Sequence, residues 1–143
     1  MFYETGMIVD EKGEIWLIIP GTPTRVDFPA DYLWHLFKTH KEKTFILAHT
    51  HPIGFDNLSQ DDMDMLKAWS FAVPGRMYFD MLLGNPHVLN APFLHKRFYV
   101  KVETFEEWAA RGKKGERKID IIEEQMDIKN QLWVKRILEL SYF

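Results

Sequence analysis

Residues 44–52 read TFILAHTHP, an apolar run that ends in two histidines two positions apart, His49 and His51. Side chains two apart in a strand share a face, so a strand ending here presents both imidazoles on one side. A polar, Gly-containing loop follows, residues 53–58. Ser59 then has the form of an N-cap for a helix beginning at Gln60, which places Asp62 in that helix's first turn. A strand end, a short loop and a helix start can bring His49, His51 and Asp62 together. Two imidazoles and one carboxylate suit Zn²⁺ and leave its fourth tetrahedral position open to water, as a catalytic zinc site requires. Such zinc lowers the pKa of its water toward roughly 7. A nearby carboxylate that is not a ligand must then move protons, and a hydroxyl close by can stabilise an oxyanion.

Each piece alone has an ordinary explanation. Two histidines on a strand end are commonly polar surface, and Ser59-x-x-Asp62 has the form of a capping box. Their combination carries the reading, and capping and metal binding can coexist in one aspartate. Asp61 competes with Asp62 as the third ligand. Thr50, between the histidines, faces the other way and is expected to be structural, while His35, His40, His87 and His95 are scattered and read as ordinary polar residues. Trp69, Trp108 and Trp133 are expected to serve packing.

His-x-His-Pro, six residues, then Ser-x-x-Asp resembles the JAMM motif of the JAB1/MPN/Mov34 zinc metalloproteases, matched here by His49, His51, Pro52, Ser59 and Asp62. The resemblance implies a peptidase or isopeptidase with His49, His51 and Asp62 as zinc ligands, the family spacing selecting Asp62 over Asp61, and Ser59 assisting oxyanion stabilisation. It also implies an upstream glutamate on a strand, often followed by glycine. Glu4-Thr5-Gly6-Met7-Ile8 looks like that element, which makes Glu4 the general acid/base in preference to Glu11 or Glu14. The implied substrate is a protein or peptide, with ubiquitin-like tails among the candidates. The match is strong over residues 4 to 70. The family usually has a helix ahead of the glutamate strand, where this chain has three residues, and a long C-terminal helix is expected to fill that place.

The elements needed to position these residues can be read along the chain. Gly6–Asp10 and Glu14–Ile19 are expected strands joined by a turn at residues 11–13, and Thr24–Phe28 a third. Pro29–Lys43 reads as a helix with an apolar stripe, residues 44–48 as a buried strand, and Gln60–Ala72 as the helix that carries Asp62. Strands follow at Arg76–Leu83 and Phe98–Glu103, the latter extended by residues 93–96. From Thr104 the pattern turns helical. Gly112-Lys-Lys-Gly115 splits it, and Ile119, Ile122, Met126, Trp133, Ile137 and Leu140, interrupted by Lys129, predict one long helix over 115–141, with a dimer or partner contact as an alternative to packing on the domain. The expected architecture is a single α/β domain over 1–143 with a central mixed β-sheet flanked by helices. The resemblance makes it JAB/MPN-like, of the cytidine-deaminase-like kind.

Composition bounds the alternatives. The chain has 143 residues, 46% hydrophobic and 27% charged, which fits one globular domain. With no cysteine, thiolate metal sites and cysteine nucleophiles are excluded. A net charge of -3 argues against a broad nucleic-acid footprint. No apolar stretch approaches the roughly eighteen residues of a membrane span, and no secretory leader is read at the N-terminus, so a cytoplasmic protein is expected. Two other classes compete with the hydrolase: a non-catalytic MPN-like scaffold module, and a nucleic-acid-associated JAB-domain protein.

Overall fold

A computed structural model describes residues 1–127 and 131–143. The elements follow in the order β1 Thr5–Asp10, β2 Ile15–Pro20, α1 Ala30–Thr39, β3 Phe45–Thr50, α2 Gln60–Ala72, β4 Met77–Leu83, β5 Leu94–Val102, α3 Phe105–Ala110, β6 Ile119–Gln125 and α4 Leu132–Ser141. The six strands form one mixed sheet in the order β2-β1-β3-β4-β5-β6. Among the described residues only the β3–β4 pair is parallel, and α2 is its crossover. This is the expected α/β domain with a central mixed sheet.

Strand alternation divides the protein into two cores. On one face Ile8, Phe45, Leu47, Met77, Phe79 and Met81 meet Leu33, Leu36 and Phe37 of α1 and Leu66 of α2. On the other face Met7, Val9, Ile46, Ala48 and Leu82 meet Trp133, Val134, Ile137 and Leu138 of α4. The spacing of those four α4 residues places them on one helical stripe. His49 follows Phe45 and Leu47 at period two, so it belongs to the α1/α2 face. Thr50 follows Ile46 and Ala48 onto the α4 face.

The long C-terminal helix expected over 115–141 is corrected by two findings. Residues Ile119–Gln125 are a strand, paired antiparallel with β5 from Val102↔Ile119 to Lys96↔Gln125, and the helix is limited to Leu132–Ser141. The run Ile-Asp-Ile-Ile satisfies helical and strand periods alike. β-branched side chains and an edge of β5 open to pairing favour the strand. Lys129, taken as an interruption of the helix, lies outside the described residues. The strand expected at Thr24–Phe28 is likewise absent. That stretch is irregular, bounded by Pro23 and Pro29 and folded on itself by the Thr22 N–H to Arg25 carbonyl bond of 2.8 Å. The other elements fall close to where the sequence places them, except that α1 stops at Thr39, four residues short of the expected Lys43, with His40 as its C-cap, and β3 runs two residues further to include His49 and Thr50.

The first residues are tied to the last. The Tyr3 N–H donates to the Ser141 carbonyl at 3.0 Å, Phe2 bridges Tyr142, and the Phe143 N–H donates to the Met1 carbonyl at 2.9 Å. α4 packs over β1, β3 and β4, and its end is thereby joined to the residues just ahead of β1. No helix among the described residues is long and apolar enough to cross a membrane.

Trp133 is the largest of the fully buried side chains and anchors α4. Trp133→Ala is expected to destabilise the fold by about 3–5 kcal/mol, read as a lowered midpoint in denaturant unfolding. A loss below about 1 kcal/mol would show that α4 is not part of the core.

Candidate metal centre

The register of the sheet sets the site. Gly6 of β1 lies opposite His49 of β3, and the pairing runs antiparallel. Continued two residues, the same register sets Glu4 opposite His51. Glu4, His49 and His51 therefore share the α1/α2 face, at the end of β3 where α2 begins. On the opposite face the Thr50 hydroxyl accepts the Thr5 N–H at 2.9 Å and bonds Ser141 Oγ at 2.8 Å, the structural role expected of it.

Three donor atoms converge there. His49 Nε2 and His51 Nε2 are 2.9 Å apart, and Asp62 Oδ2 lies 3.5 Å from the first and 3.6 Å from the second. Among the described residues these three side chains form the group able to hold a metal ion. Donors around a four-coordinate Zn²⁺ at about 2.0–2.2 Å sit roughly 3.3 Å from one another, and the observed separations bracket that value.

The tautomers of both rings follow from their other nitrogens. His49 Nδ1 is 2.9 Å from the Asp80 carbonyl, and His51 Nδ1 is 2.9 Å from the Phe55 carbonyl. A carbonyl only accepts, so each Nδ1 carries the hydrogen and each Nε2 presents a lone pair. Asp62 Oδ2 accepts the Ser59 N–H at 3.2 Å. Two lone pairs and a carboxylate thus face one another, and a cation or a shared proton is needed among them. The titration behaviour fits. Burial opposes charge on His51, but Asp62, the Phe55 carbonyl and Glu4 outweigh it and raise its pKa. Burial dominates at His49 and lowers its pKa. Burial would raise the Asp62 pKa, but the two imidazoles and the Ser59 N–H hold it far below the usual carboxylate range.

Each candidate ligand is fixed by its neighbours. Phe79 stacks on the His49 ring at 4.3 Å. Asp62 is locked by a reciprocal cap: Ser59 Oγ accepts the Asp62 N–H at 3.1 Å while the Asp62 carboxylate receives the Ser59 N–H. The capping reading of Ser59 and Asp62 is borne out, and the capped Asp62 still presents Oδ2 to both imidazoles. Asp61, its rival, is exposed in the cleft wall.

A cleft of about 770 Å³ opens over this group, lined by Glu4, His51, Ser59 and Asp62 and walled by Phe28 and Phe55. Glu4 is buried, immediately before β1. Its N–H donates to the Thr22 carbonyl at 2.8 Å, and its carbonyl accepts the Gly21 N–H at 2.9 Å. Any Cβ at Gly21 would lie 2.5 Å from the Glu4 and Arg25 carbonyl oxygens, so only glycine permits this clamp. Gly6 likewise lets Val26 cover β1, because a Cβ there would stand 2.8 Å from Val26 Cγ2. Burial pushes the Glu4 carboxyl up to about 7, with His51 opposing and Asp62 adding to the shift. Glu11 and Glu14, the rival glutamates, sit at the far end of β1, where Glu11 accepts the Thr44 N–H and the Glu14 N–H is held by Asp10.

Sequence reasoning missed three contributors. The irregular segment 23–28 forms a wall of the cleft, and the Phe55 and Asp80 carbonyls orient the two imidazoles. Asp80 had a usable signal, being the lone carboxylate in the apolar strand MYFDMLL. His95, read as an ordinary polar residue, is fully buried and bonded to Asp80.

Ser59→Ala is expected to cost about 1 kcal/mol through the lost cap, seen as a thermal midpoint lowered by about 3–5 °C, with Ser59→Thr restoring most of it. An unchanged midpoint would mean that the cap does not hold Asp62. Comparison of the chain with protein-family models, with curated proteins and with solved structures finds no match to any of them.

Proposed function

We propose that this protein is a zinc-dependent hydrolase of JAMM type that cleaves a peptide or isopeptide bond in a protein or peptide substrate. One observation carries the reading: His49 Nε2, His51 Nε2 and Asp62 Oδ2 converge within 3.6 Å of one another, beside a cleft that His51 and Asp62 line together with the buried Glu4. The JAMM-like spacing of the same residues supports it, as does a fold we read as JAB/MPN-like, of the cytidine-deaminase-like kind. A cytoplasmic setting accompanies this reading.

His49, His51 and Asp62 would hold the ion, and Zn²⁺ bound there supplies an acidified water and a Lewis acid for the substrate carbonyl. The remaining chemistry belongs to the chain's own groups. Glu4 has a carboxyl with a pKa near neutrality, which suits a group that must both accept and return a proton. Its carboxylate takes a proton from the attacking water and delivers it to the departing amine. Ser59 Oγ accepts the Asp62 N–H, leaving its own hydroxyl hydrogen to donate to the developing oxyanion. The cleft walls of Phe28 and Phe55 limit water around the reacting groups and offer apolar surface to side chains flanking the scissile bond.

Glu4→Gln tests the assignment. The variant is expected to take up as much zinc as the wild type while losing about 10²–10⁴-fold in amide hydrolysis, measured on a panel of peptide and ubiquitin-like fusion substrates. Unchanged turnover in Glu4→Gln would remove Glu4 from the mechanism. A zinc-loaded wild type inert on the whole panel would favour a binding module.

A further inference from the structure

The contacts that orient the two imidazoles lead back to one strand that carries no ligand. His49 donates its Nδ1–H to the backbone carbonyl of Asp80, so the placement of that β4 residue sets the angle of the ring. The Asp80 side chain is fully buried on the opposite face of the sheet, where a carboxylate needs charged or hydrogen-bonding partners. β5 provides them. His95 Nε2 lies 2.7 Å from Asp80 Oδ2, while Arg97 Nε and Nη2 reach Oδ1 and Oδ2 at 2.9 and 3.0 Å, a two-pronged fork that fixes the carboxylate plane. The guanidinium also lies 5.0 Å from the Tyr78 ring centroid.

Between those two residues stands Lys96, which alternation turns toward the cleft side, opposite Met81. Its Nζ donates to the Asp56 carbonyl at 2.9 Å and lies 3.5 Å from Glu123. Asp56 adjoins Phe55, whose carbonyl receives the His51 Nδ1–H. The loop is otherwise exposed around Phe55 and Asp56, so Lys96 ties the carbonyl that aims His51 to the sheet.

We infer that the His95-Lys96-Arg97 run of β5 is the positioning element of the metal centre, His95 and Arg97 acting on His49 through Asp80 and Lys96 acting on His51 through the loop at Phe55 and Asp56. This rests on the metal-binding reading of His49, His51 and Asp62. Groups that orient the outer nitrogen of a ligating histidine typically change metal affinity by about 10–100-fold when removed. Here the orienting groups are backbone carbonyls that no substitution removes directly. The side chains that hold those carbonyls are the accessible handle.

The test uses the full chain with Zn²⁺ and Co²⁺ as probes. Zinc affinity is measured by chelator competition, and the visible spectrum of the cobalt-loaded protein reports ligand geometry. Lys96→Met and Arg97→Met are each expected to weaken zinc binding by about 10-fold or more and to alter the cobalt spectrum, with Lys96→Arg close to wild type. Arg76→Met is the control. Arg76 braces the carbonyls of Phe37, His40 and Lys43 at the other end of β4, so its loss should lower the thermal midpoint and leave zinc affinity unchanged. Should Arg97→Met fail to fold, the surface-reaching Lys96→Met decides. Folded Lys96→Met with wild-type zinc affinity and cobalt spectrum overturns the inference while the metal site stands. A wild type that takes up neither ion overturns both.

Discussion

Atoms that each offer a lone pair repel when brought together, and this fold holds three of them within 3.6 Å of one another. The arrangement is unfavourable by itself, because each imidazole has already given its one hydrogen to a backbone carbonyl. Much of the surrounding structure can be understood as the means of keeping those atoms in place. The sheet register sets Gly6 against His49, Phe79 stacks on the His49 ring, and the reciprocal cap of Ser59 and Asp62 prevents the carboxylate from turning away. A cation among the three atoms converts that repulsion into coordination.

The two faces of the sheet share the work unequally. The α1/α2 face carries the candidate metal group and the cleft at its open end, and an apolar core beneath. The α4 face carries no part of the cleft but supplies anchorage: Thr50 is bonded to Thr5 and Ser141, and Asp80 is held by His95 and Arg97. Because alternate residues of one strand serve opposite faces, the anchoring Thr50 stands between the candidate ligands His49 and His51. Glu4 depends on the same division. Its backbone is clamped to residues 21 and 22, and the residues before it are tied to the chain's end beyond α4, so a group three residues from the N-terminus has a fixed place at the cleft.

Much of this was legible in the sequence where local physics decides. Periodicity gave α1 and β1 to β4, and the cap at Ser59 placed the start of α2. Strand alternation paired His49 with His51, the capping position put Asp62 near them with the JAMM-like spacing preferring it to Asp61, and the structure brings the three side chains together. Where distant partners decide, the sequence misled. Ile119, Ile121 and Ile122 fit a helix as readily as a strand until the edge of β5 away from β4 is seen to need a partner. Thr24–Phe28 has strand-like residues, but Pro23 and Pro29 and the close approach at Gly21 divert it into the cleft wall. The Phe55 carbonyl has no residue-type signal at all, and Asp80 is marked only by a carboxylate in an apolar strand, not by the carbonyl that aims His49.

On the proposed function, the three converging acceptors hold a zinc ion. Elemental analysis of metal per chain, on wild type and His51→Ala purified without chelator, tests it most directly. About one equivalent of zinc in the wild type, lost in the variant while its circular dichroism spectrum stays that of a folded chain, is the predicted result. A folded wild type that carries no zinc and takes up none when it is added, or that retains iron in its place, would contradict the account.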